Sequence, residues 1–451
     1  MKNLARFLIP VLALMLVAAL CAIPMTAADN VIFIKDDATG DGSSADSALK
    51  PTIGNFDVTS SNPARQNDTA IYQAMVKLLE AGGGTIVVCG PYTLDATTGQ
   101  GTSELSRDMM LERSLYKSDV TITYTSVYNG VDYRETAGAK LILGKGSHII
   151  FPSATVTENI TIQAEDATRC FCGGTNPLTL SKGTNFLPIT GSDAASPANY
   201  PVICGGERFR ANKGNTQITI DIGDENTIGH VYGGQAGVGS AGFELTGDTN
   251  IVIKSGTFVG DVGGSSRNAN SNLIGNANIT IEGGIFKGTI NGIGASGMGI
   301  TDGKVMIKIS GGNFDDCMGV YDCAVGFTGE MAAYAMLDLS AANNEVAAKV
   351  AEMSAGFTET TMPAGYAPAT TAAPETTAAP ETTTAAPETT AAPETTAAPE
   401  TTEAKEEAEA TTAAPAAPKA EGGAPIGLII GIVAAVIVIA VIVVVVVKKK
   451  K

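Results

Sequence analysis

Apolar residues in the middle of the chain recur at every second position, as in Ile251-Val252-Ile253 and Ile279-Thr280-Ile281. That is the period of a strand and not the 3.6-residue period of a helix. The runs themselves recur every 28 residues: NIVIKSGTFVGDVGG from Asn250, NITIEGGIFKGTING from Asn278 and MIKISGGNFDDCMGV from Met306. The spacing aligns Ile251 with Ile279 and Ile307, Gly256 with Gly284 and Gly312, Phe258 with Phe286 and Phe314, and Val262 with Ile290 and Met318. Each unit reads as a strand, a small-residue corner, a short strand centred on Phe, a second corner and a third apolar stretch. A fixed period of this length marks a solenoid, whose unit buries its apolar face only when neighbours stack on it. Leucine-rich repeats have a similar period, but their Leu framework is missing. The pattern predicts an all-β chain, a right-handed parallel β-helix with three short strands per coil.

Less regular strands precede the repeat: DVTITY at Asp119, AKLIL at Ala139, HIIF at His148, NITIQ at Asn159 and QITIDI at Gln217. Their unequal spacing implies projecting loops, the largest from 167 to 212, with a further long corner from Gly233 to Phe243. Helical periodicity falls on TAIYQAMVKLLEAGGG, where Asn67-Asp68 supply a capping residue and the glycines from Gly82 stop the helix. The run Thr85-Ile86-Val87-Val88 follows as a buried strand. This helix is expected to cap the N-terminal mouth of the coil. SAANNEVAAKVAEM from Ser340 is its C-terminal counterpart, with FTETTM as a last strand. Solenoids need such caps because their end coils otherwise expose strand edges and core.

The flanks have different compositions. Lys2 and Arg6, then an apolar run, then Thr26-Ala27-Ala28 form the order of a secretory signal peptide, 1–28, with cleavage at Ala28. Residues 426–447 are 22 uncharged residues followed by Lys448 to Lys451. At ~1.5 Å per residue they reach about 33 Å, enough to cross a bilayer. The lysines predict a short cytoplasmic tail, 448–451, and an extracellular remainder. Between lies 363–425, rich in Thr, Ala, Pro and Glu, too poor in apolar side chains to fold. It is expected to be a disordered stalk, extended by its prolines to about 190 Å at most. The folded ectodomain is therefore 29–362.

That segment carries 36 acidic and 21 basic residues, a net charge of −15. Such a surface repels nucleic acid and anionic lipid, and disfavours a strongly anionic polymer unless Ca²⁺ bridges the charges.

The opening VIFIKDDATGDGSSADSALKP, the run GGGTIVVCGPYTL, the stretch VTITYTSVYNGVDYRETAGAKLIL and the ITIEGGIF-type units resemble the secreted, pectin-lyase-like parallel β-helix surface proteins of Gram-positive gut bacteria. The resemblance covers most of 30–362. It implies the β-helix fold, and either adhesion or carbohydrate-active chemistry, since both occur in that group.

Lyases on this scaffold use clustered carboxylates on Ca²⁺ with a basic residue, and hydrolases use paired carboxylates. Asp315-Asp316 sits at a corner of the repeat, where Asp316 replaces Gly260 and Gly288. Asp36-Asp37 lies in a polar arm without EF-hand spacing, and Asp221 and Asp224 have no basic partner in view. Gly229-His230 resembles part of the Gly-His motif of galacturonan hydrolases, but that family's remaining elements do not follow, and His230 reads as a surface or stacked strand side chain. His148 reads as a strand residue. No catalytic residue or cofactor is assigned, and Ca²⁺ is the one ion the acidic loops admit.

Six cysteines remain after the signal peptide. An even number outside the cell permits disulfides. Cys317 and Cys323 are close enough for a local bridge, Cys204 is placed to meet Cys170 or Cys172, and Cys89 reads as buried. A zinc site from Cys170, Cys172 and Cys204 lacks a partnering His.

The sequence supports a cell-surface, membrane-anchored β-helix protein for adhesion or glycan binding. Arg208, Arg210, His230, Tyr232 and Tyr321 form the candidate binding surface, and the partner is a glycan or a cell-surface ligand. The alternative is a polysaccharide lyase or glycoside hydrolase on the same scaffold, and the third reading is a structural envelope component.

Overall fold

The computed structural model describes residues 30–51, 69–94, 108–109, 115–144, 148–167, 169–207, 212–235, 244–267, 271–294, 299–301, 303–323 and 334–367. The expected signal peptide with Ala28, the stalk beyond Ala367, the span 426–447 and the basic tail lie outside them. No helix among the described residues is long and apolar enough to cross a membrane.

The chain is mostly parallel β-sheet. One sheet holds eleven strands in chain order, from Val31–Ile34, Gly84–Val88 and Lys117–Thr125 through Thr249–Ser255, Ala277–Ile281 and Lys304–Ile309 to Glu359–Thr361. A second holds nine, among them His148–Ile150, Cys170–Cys172, Val202–Cys204, Val231–Tyr232, Val262–Gly263, Thr289–Asn291 and Gly319–Tyr321. Shorter sheets of four and three strands complete the circuit through Pro91–Leu94, Lys140–Leu143, Thr161–Ala164, Asn185–Leu187, Thr227–Ile228, Thr257–Phe258 and Ile285–Phe286. The chain visits the sheets in turn and each strand pairs with its equivalent one circuit earlier. Such stacked circuits are consistent with the expected β-helix.

The repeat explains the register. Ile251 pairs with Ile279 and Ile279 with Ile307, so equivalent side chains stack in columns inside the coil. The inward column of Leu178, Ile218, Ile251, Ile279, Ile307 and Leu337 is buried throughout, each side chain contributing about 1.5–3 kcal/mol. Phe258, Phe286 and Phe314 stack with centroids 5.0 and 5.1 Å apart. Tyr124, Phe151, Phe171 and Phe186 form a second aromatic file at 5.2, 4.8 and 5.8 Å.

Three expectations change. The coils from 212 onward carry a fourth strand, at Asn212–Lys213, Glu244–Thr246, Asn272–Ile274 and Gly299–Thr301. Met318 is not the equivalent of Val262 and Ile290, because Ile290 pairs with Val320. The corner after Phe314 is longer than its predecessors, and this pushes Met318 outward to 70% exposure. The supposed loop from 167 to 212 is largely coil: Cys170–Cys172, Leu178–Leu180, Asn185–Leu187 and Val202–Cys204 are all strands within the sheets. Strands of three residues are too short for alternation to reveal them.

Helix α1 (Ala70–Ala81) packs its buried face, including Ile71, Met75 and Leu78, against the first strands of the long sheet. Its N-cap is Thr69, in place of the Asx expected, and Gly82 ends it at φ 85°. An excursion follows Lys117–Thr125, comprising the antiparallel pair Val127–Tyr128 and Val131–Asp132 and helix α2 (Tyr133–Ala137). Helix α3 (Asn344–Met353) is capped by the Asn343 side chain, which accepts from the Val346 N–H at 2.9 Å. Ala347 and Val350 anchor it on the core, and Glu359–Thr361 closes the long sheet as expected.

At the exit of the nine-stranded sheet, Gly173, Gly205, Gly233, Gly264 and Gly292 lie one above another. A Cβ on Gly173 would stand 2.8 Å from the Gly205 carbonyl oxygen, and one on Gly292 would stand 2.6 Å from that of Asp322. On Gly205, Gly233 and Gly264 the same atom would meet the carbonyl of the next glycine closer still. The corner is drawn tight by backbone bonds from Gly205 N–H to Tyr232 O at 3.1 Å, Gly233 N–H to Gly263 O at 2.9 Å and Gly264 N–H to Asn291 O at 2.8 Å. Glycine is required here by close approach of backbones.

Candidate functional site

The corners that join Thr227–Ile228, Thr257–Phe258 and Ile285–Phe286 to the nine-stranded sheet are made by 229–230, 259–261 and 287–288. They line a groove of about 600 Å³, walled at one end by Ala194, Ala195, Pro197 and Tyr200. Gly229, Gly260 and Gly288 repeat at one corner position, where a side chain would strike the neighbouring backbone. Polar groups therefore come from the residues beside them: His230, Asp261, Lys287, Thr227 and Thr257. Val259, Pro197 and the exposed Met318 supply apolar surface.

His230 and Asp261 occupy successive coils. The Asp261 N–H donates to His230 Nδ1 at 3.0 Å, and an Asp261 carboxylate oxygen lies 3.6 Å from the same nitrogen. Burial lowers the His230 pKa below its ordinary value of 6.5, against the opposing pull of Asp261. Burial outweighs that pull, and Nδ1 accepts the backbone hydrogen bond from Asp261 in its unprotonated form. The neutral ring then carries its proton on Nε2, a donor. Asp261 is held in turn by Thr289, whose N–H and Oγ1 donate to Oδ1 at 3.1 and 2.6 Å. Lys287 is exposed. The groove thus offers a neutral donor, a hydrogen-bonded carboxylate and an exposed cation, the equipment of a polar ligand site.

The predicted surface residues separate. His230 lines the groove. Tyr232 stacks at 6.1 Å on His230 but is only 5% exposed and belongs to a buried cluster, so it is no platform for a sugar ring. Tyr321 is half-buried, its hydroxyl donating to the Met318 carbonyl at 3.3 Å. Arg208 and Arg210 lie outside the described residues, as does most of the long corner from 236 to 243. Asp261 and Lys287 stand in no recognisable motif of the sequence. Asp261 fills the repeat position taken by Thr289 in the next coil, and that polar register is the signal for it.

Three of the acidic candidates accept hydrogen bonds from neighbouring coils. Asp36 accepts from Thr93 N–H and Oγ1, both at 3.0 Å. Asp221 accepts from Ser255 Oγ at 2.8 Å and Asp224 from Gly256 N–H at 2.8 Å. Asp315 and Asp316 are exposed at the lengthened corner. Among the described residues no group of three or more His, Cys, Asp or Glu is arranged to hold a metal ion. A histidine does stand beside the cysteines: His148 Nδ1 accepts from the Cys170 N–H at 3.1 Å, and its Nε2 lies 3.3 Å from Arg169 Nη1. Both ring nitrogens face protein groups and neither is presented to a metal.

Cys317 and Cys323 are thiols in this structure. The first is directed to the carbonyls of Gly288 and Gly319, at 3.4 and 3.6 Å. The pKa of the second is pushed up to about 12 by burial and by Asp322. Cys89 is a buried thiol directed to the Ile34 carbonyl at 3.4 Å.

No family model, no curated protein and no solved structure matches the chain.

Proposed function

We propose that this chain is a membrane-anchored extracellular adhesin or glycan-binding protein, whose right-handed parallel β-helix presents the groove of His230, Asp261 and Lys287 to a ligand beyond the cell surface. The groove carries the reading: its donor, acceptor and cation are carried on corners of three successive coils, and sugar hydroxyls or carboxylates match those groups. The flanking segments supply the setting. A signal peptide exports the chain, the span 426–447 holds it in the bilayer, and the stalk 363–425 lifts the coil away from it. The partner is a glycan or a ligand on a host or neighbouring cell.

A lyase or hydrolase needs more than one carboxylate or a basic residue beside Ca²⁺. The groove lining has one basic side chain in Lys287 but only one carboxylate, Asp261, which is neither the pair a hydrolase uses nor the cluster that would hold Ca²⁺ for a lyase. Binding without turnover is therefore favoured over the enzyme reading. The test is a glycan array probed with the full-length protein in detergent, followed by absorbance of unsaturated products on the bound sugars. Binding without product supports the proposal. Product formation establishes the enzyme, and an array with no hits leaves the structural envelope role.

A further inference from the structure

Strands Cys170–Cys172 and Val202–Cys204 pair in parallel, with Cys170 opposite Val202, Phe171 opposite Ile203 and Cys172 opposite Cys204. Side chains alternate across a strand, so Phe171 and Ile203 join the main core while the three cysteines point to the outer face. There they form a separate buried cluster with Ile150, Val202 and Tyr232. Register partners on neighbouring strands stand about 4.8 Å apart, inside the 4.4–6.8 Å separation of Cα atoms that a disulfide spans. The sulfurs of Cys172 and Cys204 are 2.8 Å apart, and both residues are fully buried. Cys204 Sγ also lies 3.6 Å from the Gly206 carbonyl, but its shorter contact is with the Cys172 sulfur.

We propose that Cys172 and Cys204 form a disulfide that staples two successive coils together from the outer face, with Cys170 remaining a thiol beside it. The bond closes a segment of 32 residues, about one circuit of the chain. It forms by exchange with a disulfide-bearing oxidant, either a small-molecule disulfide or the active-site disulfide of a thiol oxidase. The thiolate of one cysteine attacks the oxidant's disulfide and expels one thiol. The thiolate of the other attacks the resulting mixed disulfide and expels the second. Two electrons and two protons pass to the oxidant, which leaves as two thiols. Because the native sulfurs are shielded from solvent, exchange takes place before these coils close, and the finished bond is out of reach of reductants. Cys170 is the partner left behind because its register partner is Val202, so no sulfur stands opposite it across the strand pair.

The inference relies on the extracytoplasmic location proposed above only for the supply of oxidant. Full-length protein extracted from its membrane is alkylated under denaturing conditions, digested with trypsin without reduction and analysed by mass spectrometry. The cleavage sites release Cys170–Lys182 and Gly183–Arg208. The expected product is these two peptides linked, with one alkylated cysteine at Cys170. The link should survive in Cys170→Ser and disappear in Cys172→Ser. A second sample is unfolded, reduced and refolded with oxidised glutathione. A link formed only there supports the staple and counts against the extracellular location. Alkylation of all three cysteines in both samples overturns the proposal, and so does a link that persists in Cys172→Ser.

Discussion

The glycine column at the exit of the nine-stranded sheet gives a sharp expectation for Gly264→Ala. A Cβ at this position would overlap the Gly292 carbonyl oxygen, falling short by about 1 Å of the 3.0 Å that real Cβ atoms respect. The obstacle is backbone and cannot swing away as a side chain would. Relief requires parting two coils where Gly264 N–H donates to Asn291 O at 2.8 Å and Ser265 N–H to Ile293 O at 3.0 Å. Loosening two such bonds costs about 1 kcal/mol each, and overpacking a rigid site costs about 1–3 kcal/mol. The sum is roughly 3–5 kcal/mol. Gly191→Ala is the control, since its φ is 76° and nothing stands within 4 Å of the new atom. Only the left-handed strain applies there, about 1–2 kcal/mol. Urea unfolding of the full chain in detergent, followed by circular dichroism, measures both. A Gly264→Ala midpoint no lower than that of Gly191→Ala would refute the close-approach reasoning.

Phe286→Ala removes the middle ring of a stacked file and should cost about 3–5 kcal/mol, while Phe286→Leu, which keeps most of the volume, should cost under half of that in the same urea assay. His230 makes stability depend on pH. Its folded pKa is lowered by burial, so as pH falls the unfolded chain takes up the proton first. The contribution is present above about pH 6.5 and is lost as pH falls through the lowered folded value. His230→Gln should therefore lose less thermal stability than the wild type on acidification below that pH. The proposed Cys172–Cys204 staple closes a 32-residue loop, worth about 3.7 kcal/mol in the chain-entropy model. Protein refolded with and without a disulfide oxidant should differ in unfolding free energy by roughly that amount.

The regular coils were legible because their period writes itself twice, in the alternation of Ile279-Thr280-Ile281 and in the 28-residue recurrence of Phe258 and Phe286. Both caps were legible as helices as well, although the Asn67-Asp68 cap yields to Thr69. The coil between 170 and 204 was not. Its strands run to three residues, and the trio Cys170-Phe171-Cys172 is buried on both faces, so alternation of apolar and polar residues vanishes. The expectation for Met318 fails because two additional corner residues shift the frame, and sequence spacing alone does not tell an insertion from a repeat. His230 was visible as a candidate, but its partner Asp261 belongs to the next coil. Only the register places a residue 31 positions away beside it. Tyr232 reads as an exposed aromatic until the outer face of its strand is seen to be covered.

The central claim is that the His230, Asp261 and Lys287 groove takes a ligand from outside the cell. Its most direct test is a side-by-side glycan array of the full-length wild type and Lys287→Glu, an exposed substitution that reverses the charge at the groove and leaves the core untouched. The expected result is a set of wild-type hits that Lys287→Glu loses or weakens at least tenfold while its urea midpoint is unchanged. Equal binding by both proteins, or no hit for either, would contradict it.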